Sequence, residues 1–97
     1  MKIKTSELTD TALDWAVAKC EGVEFDLAPD GYYTFKPSTS WAIGGPIIER
    51  EGIGVFPLGN ERGWAAGLQS GPTPLIAAMR CYVASRLGDE VDVPEGL

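Results

Sequence analysis

The 97-residue sequence contains no histidine and only two cysteines, Cys20 and Cys81. Zinc and copper sites are built mainly from these residue types, and the two cysteines do not form a CxxC pair. Nucleophilic catalysis normally needs a histidine base beside the nucleophile, and no GxSxG, SxxK or P-loop pattern is present. We therefore expect no metal, no cofactor and no enzymatic activity, with both cysteines serving as small buried residues of helices.

Basic residues are also few. Eight Lys and Arg stand against fourteen Asp and Glu, which gives a net charge of −6. A general nucleic-acid binder needs surplus positive charge to neutralise phosphates, so we expect no such activity. No apolar run approaches the roughly 20 residues that span a membrane, and the first residues lack the apolar region of a secretory signal. A hydrophobic share of 44% suits one modest core, and we expect a single domain over residues 1–97.

Two helices are predicted by their end signals. The first follows an N-cap at Thr9 and stops at Gly22, with apolar residues at helical spacing between them. The last follows an N-cap at Thr73, has Pro74 at its first position and ends at Gly88. We expect these helices to pack on a sheet through the apolar residues Leu13, Val17, Leu75, Met79 and Tyr82.

The segments between these helices favour β-structure. Residues 22–27 alternate apolar and acidic side chains and residues 32–36 are rich in β-formers, with a strong turn signal between them, so they predict a β-hairpin. Further strands are expected at 52–56 and 64–68. From residue 91 onwards we expect an acidic tail that passes from ordered to frayed.

The segment 41–51 is interrupted by Pro46. In a continuous helix its ring would clash with the carbonyl of Ala42, which costs about 3 kcal/mol. We therefore favour a short turn at 40–43 followed by a helix that begins at Pro46. Together the segments predict an α+β fold: an antiparallel sheet of three to four strands, flanked by the N-terminal and C-terminal helices, with a short central helix.

Tryptophan and arginine residues are the strongest candidates for a binding site. Both side chains stack on planar ligands and dominate binding hot spots. Arg80 interrupts the most apolar helix, and the tryptophans stand at element edges. The alternative is that the tryptophans close the ends of a small core with arginine stems lying over them. The candidate ligand-binding residues are Trp41, Arg50, Arg62, Trp64 and Arg80.

Four segments of the chain, residues 1–8, 13–19, 44–53 and 71–80, resemble the NinX-like family of small phage and prophage proteins. The sequence is more loosely similar to phage domains with an α-β-α sandwich, which share a Tyr-Ser-Thr-type segment before a central helix and a Thr-Pro start of the final helix. Here the corresponding segments are Ser38-Thr39, with Pro37 in place of the tyrosine, and Thr73-Pro74.

The resemblance implies an accessory protein of a phage or prophage that is present in the host cytoplasm. It supplies no catalytic residues, and small phage accessory proteins commonly act by binding. Our leading hypothesis is counter-defence by sequestering a nucleotide-like signalling molecule. The alternatives are inhibition of a host protein by direct contact and a minor structural or assembly role in the phage. Because a chain of this size has little concave surface, we also expect a homodimer.

Overall fold

The computed structural model describes all 97 residues. Short strands and three helices follow one another along the chain, with a short 3-10 helix at Thr5–Glu7 after the first strand. In chain order the elements are β1 (Lys2–Lys4), α1 (Asp10–Glu21), α2 (Trp41–Glu51), β2 (Phe56–Pro57), β3 (Trp64–Ala66), β4 (Gln69–Gly71), α3 (Pro74–Leu87) and β5 (Glu90–Asp92).

The predicted ends of the first and last helices are confirmed. Gly22 closes α1 in the left-handed conformation, with φ of 69°. Thr73 caps α3, since its hydroxyl oxygen accepts a hydrogen bond of 3.1 Å from the N–H of Ile76. Gly88 ends α3 and donates its N–H to the carbonyl of Ala84. Thr9 stands at the N-cap of α1 in extended conformation, although its side chain makes no capping bond.

The strands form two antiparallel sheets, which confirms the α+β class. β2, β3 and β4 make a three-stranded sheet in that order, and β1 pairs with β5. The expected strand at 52–56 is reduced to Phe56–Pro57, and the one at 64–68 stops at Ala66 because the chain turns at Gly67, with φ of 58°, into the unforeseen strand β4.

The acidic tail from residue 91, expected to pass from ordered to frayed, begins in the strand β5, which was not predicted. Val91 is paired with Ile3 in the two-stranded sheet, and the N–H of Val93 donates to the carbonyl of Met1. Both valines are buried, 4% and 1% exposed. Burial of these two apolar side chains holds the acidic tail against the rest of the protein. The high proportion of acidic residues in the tail gave no indication of this packing.

The prediction of a β-hairpin over 22–36 is also wrong. The turn at its centre exists, because the side chain of Asp30 accepts the N–H of Tyr32 and the N–H of Ala28 donates to the carbonyl of Tyr32. No strand ladder extends from this turn. The segment is anchored instead by side chains, since the hydroxyl of Tyr33 donates to the buried carboxylate of Asp14 on α1 at 2.7 Å. Tertiary contacts therefore override a local strand pattern.

The prediction that the central helix begins at Pro46 is wrong, because α2 is continuous from Trp41 to Glu51. The residue before a proline normally avoids helical conformation because its Cβ clashes with the proline ring. Here that residue is Gly45, which has no Cβ. The missing Cβ relieves that contact, while the crowding of the Pro46 ring against the carbonyl of Ala42 and the lost hydrogen bond remain as costs of the continuous helix.

The core lies between the helices, and α3 is central to it. α3 packs against β3 and β4 on one side and against α1 and α2 on the other. Thus α1 packs chiefly on α3 rather than on the sheet, which corrects the expected arrangement. The five residues expected in the core are all buried: Leu13, Val17, Leu75, Met79 and Tyr82. None of the helices has the length and apolar character needed to cross a membrane.

Candidate functional site

The first turns of α2 and α3 form a pocket that we call the Trp41 pocket. It has a volume of about 200 Å³ and is lined by Ser38, Thr39 and Trp41 on one side and by residues 73–76 on the other. Both helices begin there, with Ser40 and Thr73 at their N-caps. The pocket therefore receives the N-terminal ends of two helices at once.

Gly44 explains why the two helices can approach so closely. A Cβ on this residue would overlap the carbonyl oxygen of Pro37 and would lie 2.7 Å from Cδ2 of Leu75. Only glycine allows the first turn of α2 to rest on both the preceding loop and the first turn of α3. The Gly-Gly pair in the sequence thus sets the width of the pocket.

Two backbone N–H groups of the helical residues in the lining have no hydrogen-bond acceptor. They belong to Trp41 and Leu75, which occupy the first and second positions of α2 and α3. The N–H groups of a helix's first turn have no partner within the helix and carry the positive end of the helix dipole. The pocket consequently offers hydrogen-bond donors and partial positive charge, although no Lys or Arg lines it.

Ser38 adds a buried hydroxyl to this site. The residue is 2% exposed, and its Oγ has no hydrogen-bond partner. Its backbone N–H donates to Oδ1 of Asp14 at 2.9 Å. Asp14 is buried too and also accepts from Tyr33, whose pKa is raised to about 12 by burial and by this hydrogen bond. Through these two hydrogen bonds Asp14, a residue of α1, attaches the loop that contains Ser38 to that helix.

The indole of Trp41 is the exposed part of the site. Its side chain is 57% exposed although tryptophan is one of the largest apolar residues. A planar apolar face beside a donor-rich pocket can stack on a flat ring while the pocket binds that ring's polar substituents. The arrangement therefore suits a ligand that has a planar ring and polar substituents.

A family model described as bacteriophage P22 NinX matches residues 4–86 of the chain. The chain belongs to this family. A comparison of the chain with curated protein sequences finds no match. The residues that line the Trp41 pocket of this NinX-family protein all lie within the matched range.

Arg50, another predicted site residue of this NinX-family protein, is engaged in a network at the C-terminal ends of the three helices. It makes a bidentate pair with Glu21, at 3.0 and 2.6 Å, and donates from Nε to Glu51 at 2.8 Å. The hydroxyl of Tyr82 donates to Glu21, and Arg86 donates to Glu51 at 3.1 Å. The network therefore joins α1, α2 and α3.

The pKa values in this network follow from its contacts. The hydrogen bonds from Arg50 lower the pKa of Glu21 and, together with Arg86, that of Glu51. Burial and the hydrogen bond to Glu21 raise the pKa of Tyr82 to about 12. The same hydrogen bonds raise the pKa values of Arg50 and Arg86, so both carboxylates and both guanidinium groups stay charged at neutral pH.

Arg80 is buried, 8% exposed, and bridges distant parts of the chain. Its Nε donates to the carbonyl of Leu8 at 2.8 Å and its Nη1 to the carbonyl of Ser70 at 2.7 Å. It thereby connects α3 to the start of α1 and to β4. Burial lowers the pKa of the guanidinium.

The remaining predicted residues, Arg62 and Trp64, lie at the three-stranded sheet. Arg62 is exposed and donates to the carbonyl of Gly59 in its own loop, at 3.3 Å. Trp64 is half-buried in β3. Of the five predicted residues only Trp41 lines any of the four pockets, so the structure does not bring the five together around one cavity. Ligand binding by the other four stays a prediction.

Sequence reasoning missed Ser38 and Leu75 as parts of the site. Ser38 was noted only as part of the Ser38-Thr39 segment before the central helix, and Leu75 only as an expected core residue. The useful signal was the pairing of a Ser-Thr segment before one helix with a Thr-Pro start of another. A second pocket, of about 380 Å³, includes Cys81, whose thiol has its pKa raised by burial.

Proposed function

We propose that this NinX-family protein is a non-catalytic phage accessory factor that acts by binding, and that the Trp41 pocket captures a nucleotide-like signalling molecule of the host's defence. The observation that carries the proposal is the exposed indole of Trp41 beside a pocket with unbonded N–H donors. A nucleotide presents a planar base for the indole and phosphate oxygens for the donors.

Thermal-shift measurements against a panel of cyclic and ADP-ribose-type nucleotides test this proposal. A ligand that binds only the folded state raises the melting temperature. We expect a specific rise with one class of nucleotide. The variant Trp41→Ala should lower the affinity about tenfold or more, since stacking of a base on an aromatic side chain contributes roughly 1–3 kcal/mol. The matched control is Phe56→Ala, which removes an aromatic side chain that is 62% exposed and lies outside the pocket.

Inhibition of a host protein is the alternative function, and one observation favours it. Three apolar residues of the three-stranded sheet and its turns are exposed: Phe56 in β2, Leu58 directly after it, and Leu68 between β3 and β4, which is fully exposed at 103%. Exposed apolar side chains in one region are typical of protein interfaces. A failure of every nucleotide to shift the melting temperature, combined with co-purification of one host protein that Leu68→Ser abolishes, would favour this function over ligand capture.

Two further expectations belong to the same proposal. A structural or assembly role would be revealed by the protein remaining a stable component of purified virions. A homodimer would place a second copy beside a small and open pocket and so enclose the ligand further. Light scattering at high micromolar concentration should give twice the mass of the chain, and a monomer mass would contradict the dimer.

A further inference from the structure

We infer that the Trp41 pocket recognises a singly charged oxyanion, a phosphodiester or carboxylate group, through the N–H groups of Trp41 and Leu75 and the hydroxyl of Ser38. This inference rests on the proposed function and names the part of the ligand that enters the pocket. It also implies recognition of an anion without any lysine or arginine in the lining.

The backbone provides the first part of the argument. α2 has eleven residues and α3 has fourteen, so each has a developed dipole at its N-terminus. Gly44 holds the two first turns in direct contact, and both unbonded N–H groups belong to residues that line the pocket. Anions bind at such positions because the N–H groups and the dipole act together.

The hydroxyl of Ser38 provides the second and independent part. A buried polar group without a hydrogen bond is destabilising, and native proteins contain few of them. Ser38 lines the pocket, is 2% exposed, and its Oγ has no partner. An oxygen of the ligand would be the acceptor that this hydroxyl lacks.

The size and the charge of the surroundings define the group. A volume of about 200 Å³ is below the roughly 300–1,000 Å³ of pockets that enclose a whole small ligand. The pocket therefore holds one substituent, while a planar ring lies on the exposed indole. The carboxylate of Asp14, which accepts the N–H of Ser38, repels additional negative charge. A doubly charged phosphate monoester is therefore disfavoured relative to a phosphodiester or a carboxylate.

The test is an NMR titration of the ¹⁵N-labelled protein with two minimal probes, dimethyl phosphate and acetate. Saturable downfield shifts of the amide resonances of Trp41 and Leu75 are expected, and the probe with the higher affinity tells whether the group is a phosphodiester or a carboxylate. Ser38→Ala should weaken binding about tenfold, because a hydrogen bond to a charged group is lost. Its melting temperature should be unchanged or higher, because the hydroxyl that it removes is unpaired. The control Ser6→Ala, at a separate pocket, should change neither value.

A parallel titration with 3′,5′-cyclic AMP and with adenosine separates this inference from the proposed function. Stronger binding of the cyclic nucleotide, sensitive to Ser38→Ala, supports the inference. Equal binding of both compounds, without amide shifts from either probe, overturns the inference and leaves nucleotide capture standing. Amide shifts from a probe, with no binding by any nucleotide of the panel, support the anion site and contradict nucleotide capture. The absence of all binding contradicts both.

Discussion

Replacing Arg80 by leucine should destabilise the protein by about 2–3 kcal/mol. The change removes the two hydrogen bonds to the carbonyls of Leu8 and Ser70, at 2.8 and 2.7 Å. Hydrogen bonds from a charged donor contribute about 1.5–3 kcal/mol each, and a buried carbonyl left unpaired costs about 1–3 kcal/mol. Relief of the buried charge offsets part of the loss, as the lowered pKa of this guanidinium indicates.

Thermal and urea unfolding measure this prediction. A loss of 2–3 kcal/mol in a chain of this size corresponds to a fall of roughly 10–20 °C in melting temperature. Arg80→Lys should be intermediate, because an ammonium on a flexible stem cannot reproduce the fixed fork of the guanidinium. Arg62→Leu is the matched control and should stay within about 0.5 kcal/mol of the parent, since that arginine is exposed and bonds only its own loop.

One result would refute the reasoning about Arg80. If Arg80→Leu melts within two or three degrees of the parent (about 0.5 kcal/mol), the two hydrogen bonds of the guanidinium add nothing to the net stability. If that variant also loses ligand or partner binding, Arg80 acts at a functional surface on α3. A large fall in melting temperature places it in the structural framework.

Three further outcomes are expected. Gly44→Ala should cost about 2 kcal/mol or more, because its Cβ would overlap the carbonyl of Pro37, whereas Gly59→Ala, which meets no atom within 4 Å, should be nearly neutral in urea unfolding. The melting temperature should fall as pH rises from about 10 to about 12, because folding raises the pKa of Tyr33 from 10.0 to about 12. The stability that this shift contributes is complete below pH 10, the pKa of a free tyrosine, and is lost above the pKa of the folded protein. Tyr33→Phe should be less stable at neutral pH and should lose less stability over this pH range. Stability should also fall as pH drops below about 4.5, since the pKa of Glu21 is lowered by folding, and Glu21→Gln should reduce that dependence; an unchanged acid profile would contradict the role of this carboxylate.

The helix ends show how far local sequence carries the prediction. The N-cap and first-position proline of α3 and the glycines after α1 and α3 act through hydrogen bonds and backbone angles within a few residues. Such signals need no knowledge of the rest of the fold, and they were predicted correctly. The core positions followed from the same helical register, because the face of a helix is fixed once its start is known.

The segments that were predicted wrongly depend on partners far along the chain. The segment 22–36 contains the alternation of apolar and polar residues that is typical of a strand. Its conformation is set instead by the hydrogen bond from the hydroxyl of Tyr33 to Asp14, nineteen residues away. The tail is ordered because Val91 pairs with Ile3 at the opposite end of the chain. Local pattern cannot reveal either contact, because each depends on where other elements come to rest.

The sequence by itself determined the family, the α+β class, the three helical regions, and Trp41 as a candidate for binding. Only the tertiary structure decided that Trp41 shares a pocket with Ser38 and Leu75, and that Arg50 and Arg80 are tied into networks between helices. The physical reason is distance. Helix ends and periodicity are set by neighbours within a few residues, whereas a pocket and a buried guanidinium are set by residues that meet only after the chain has folded.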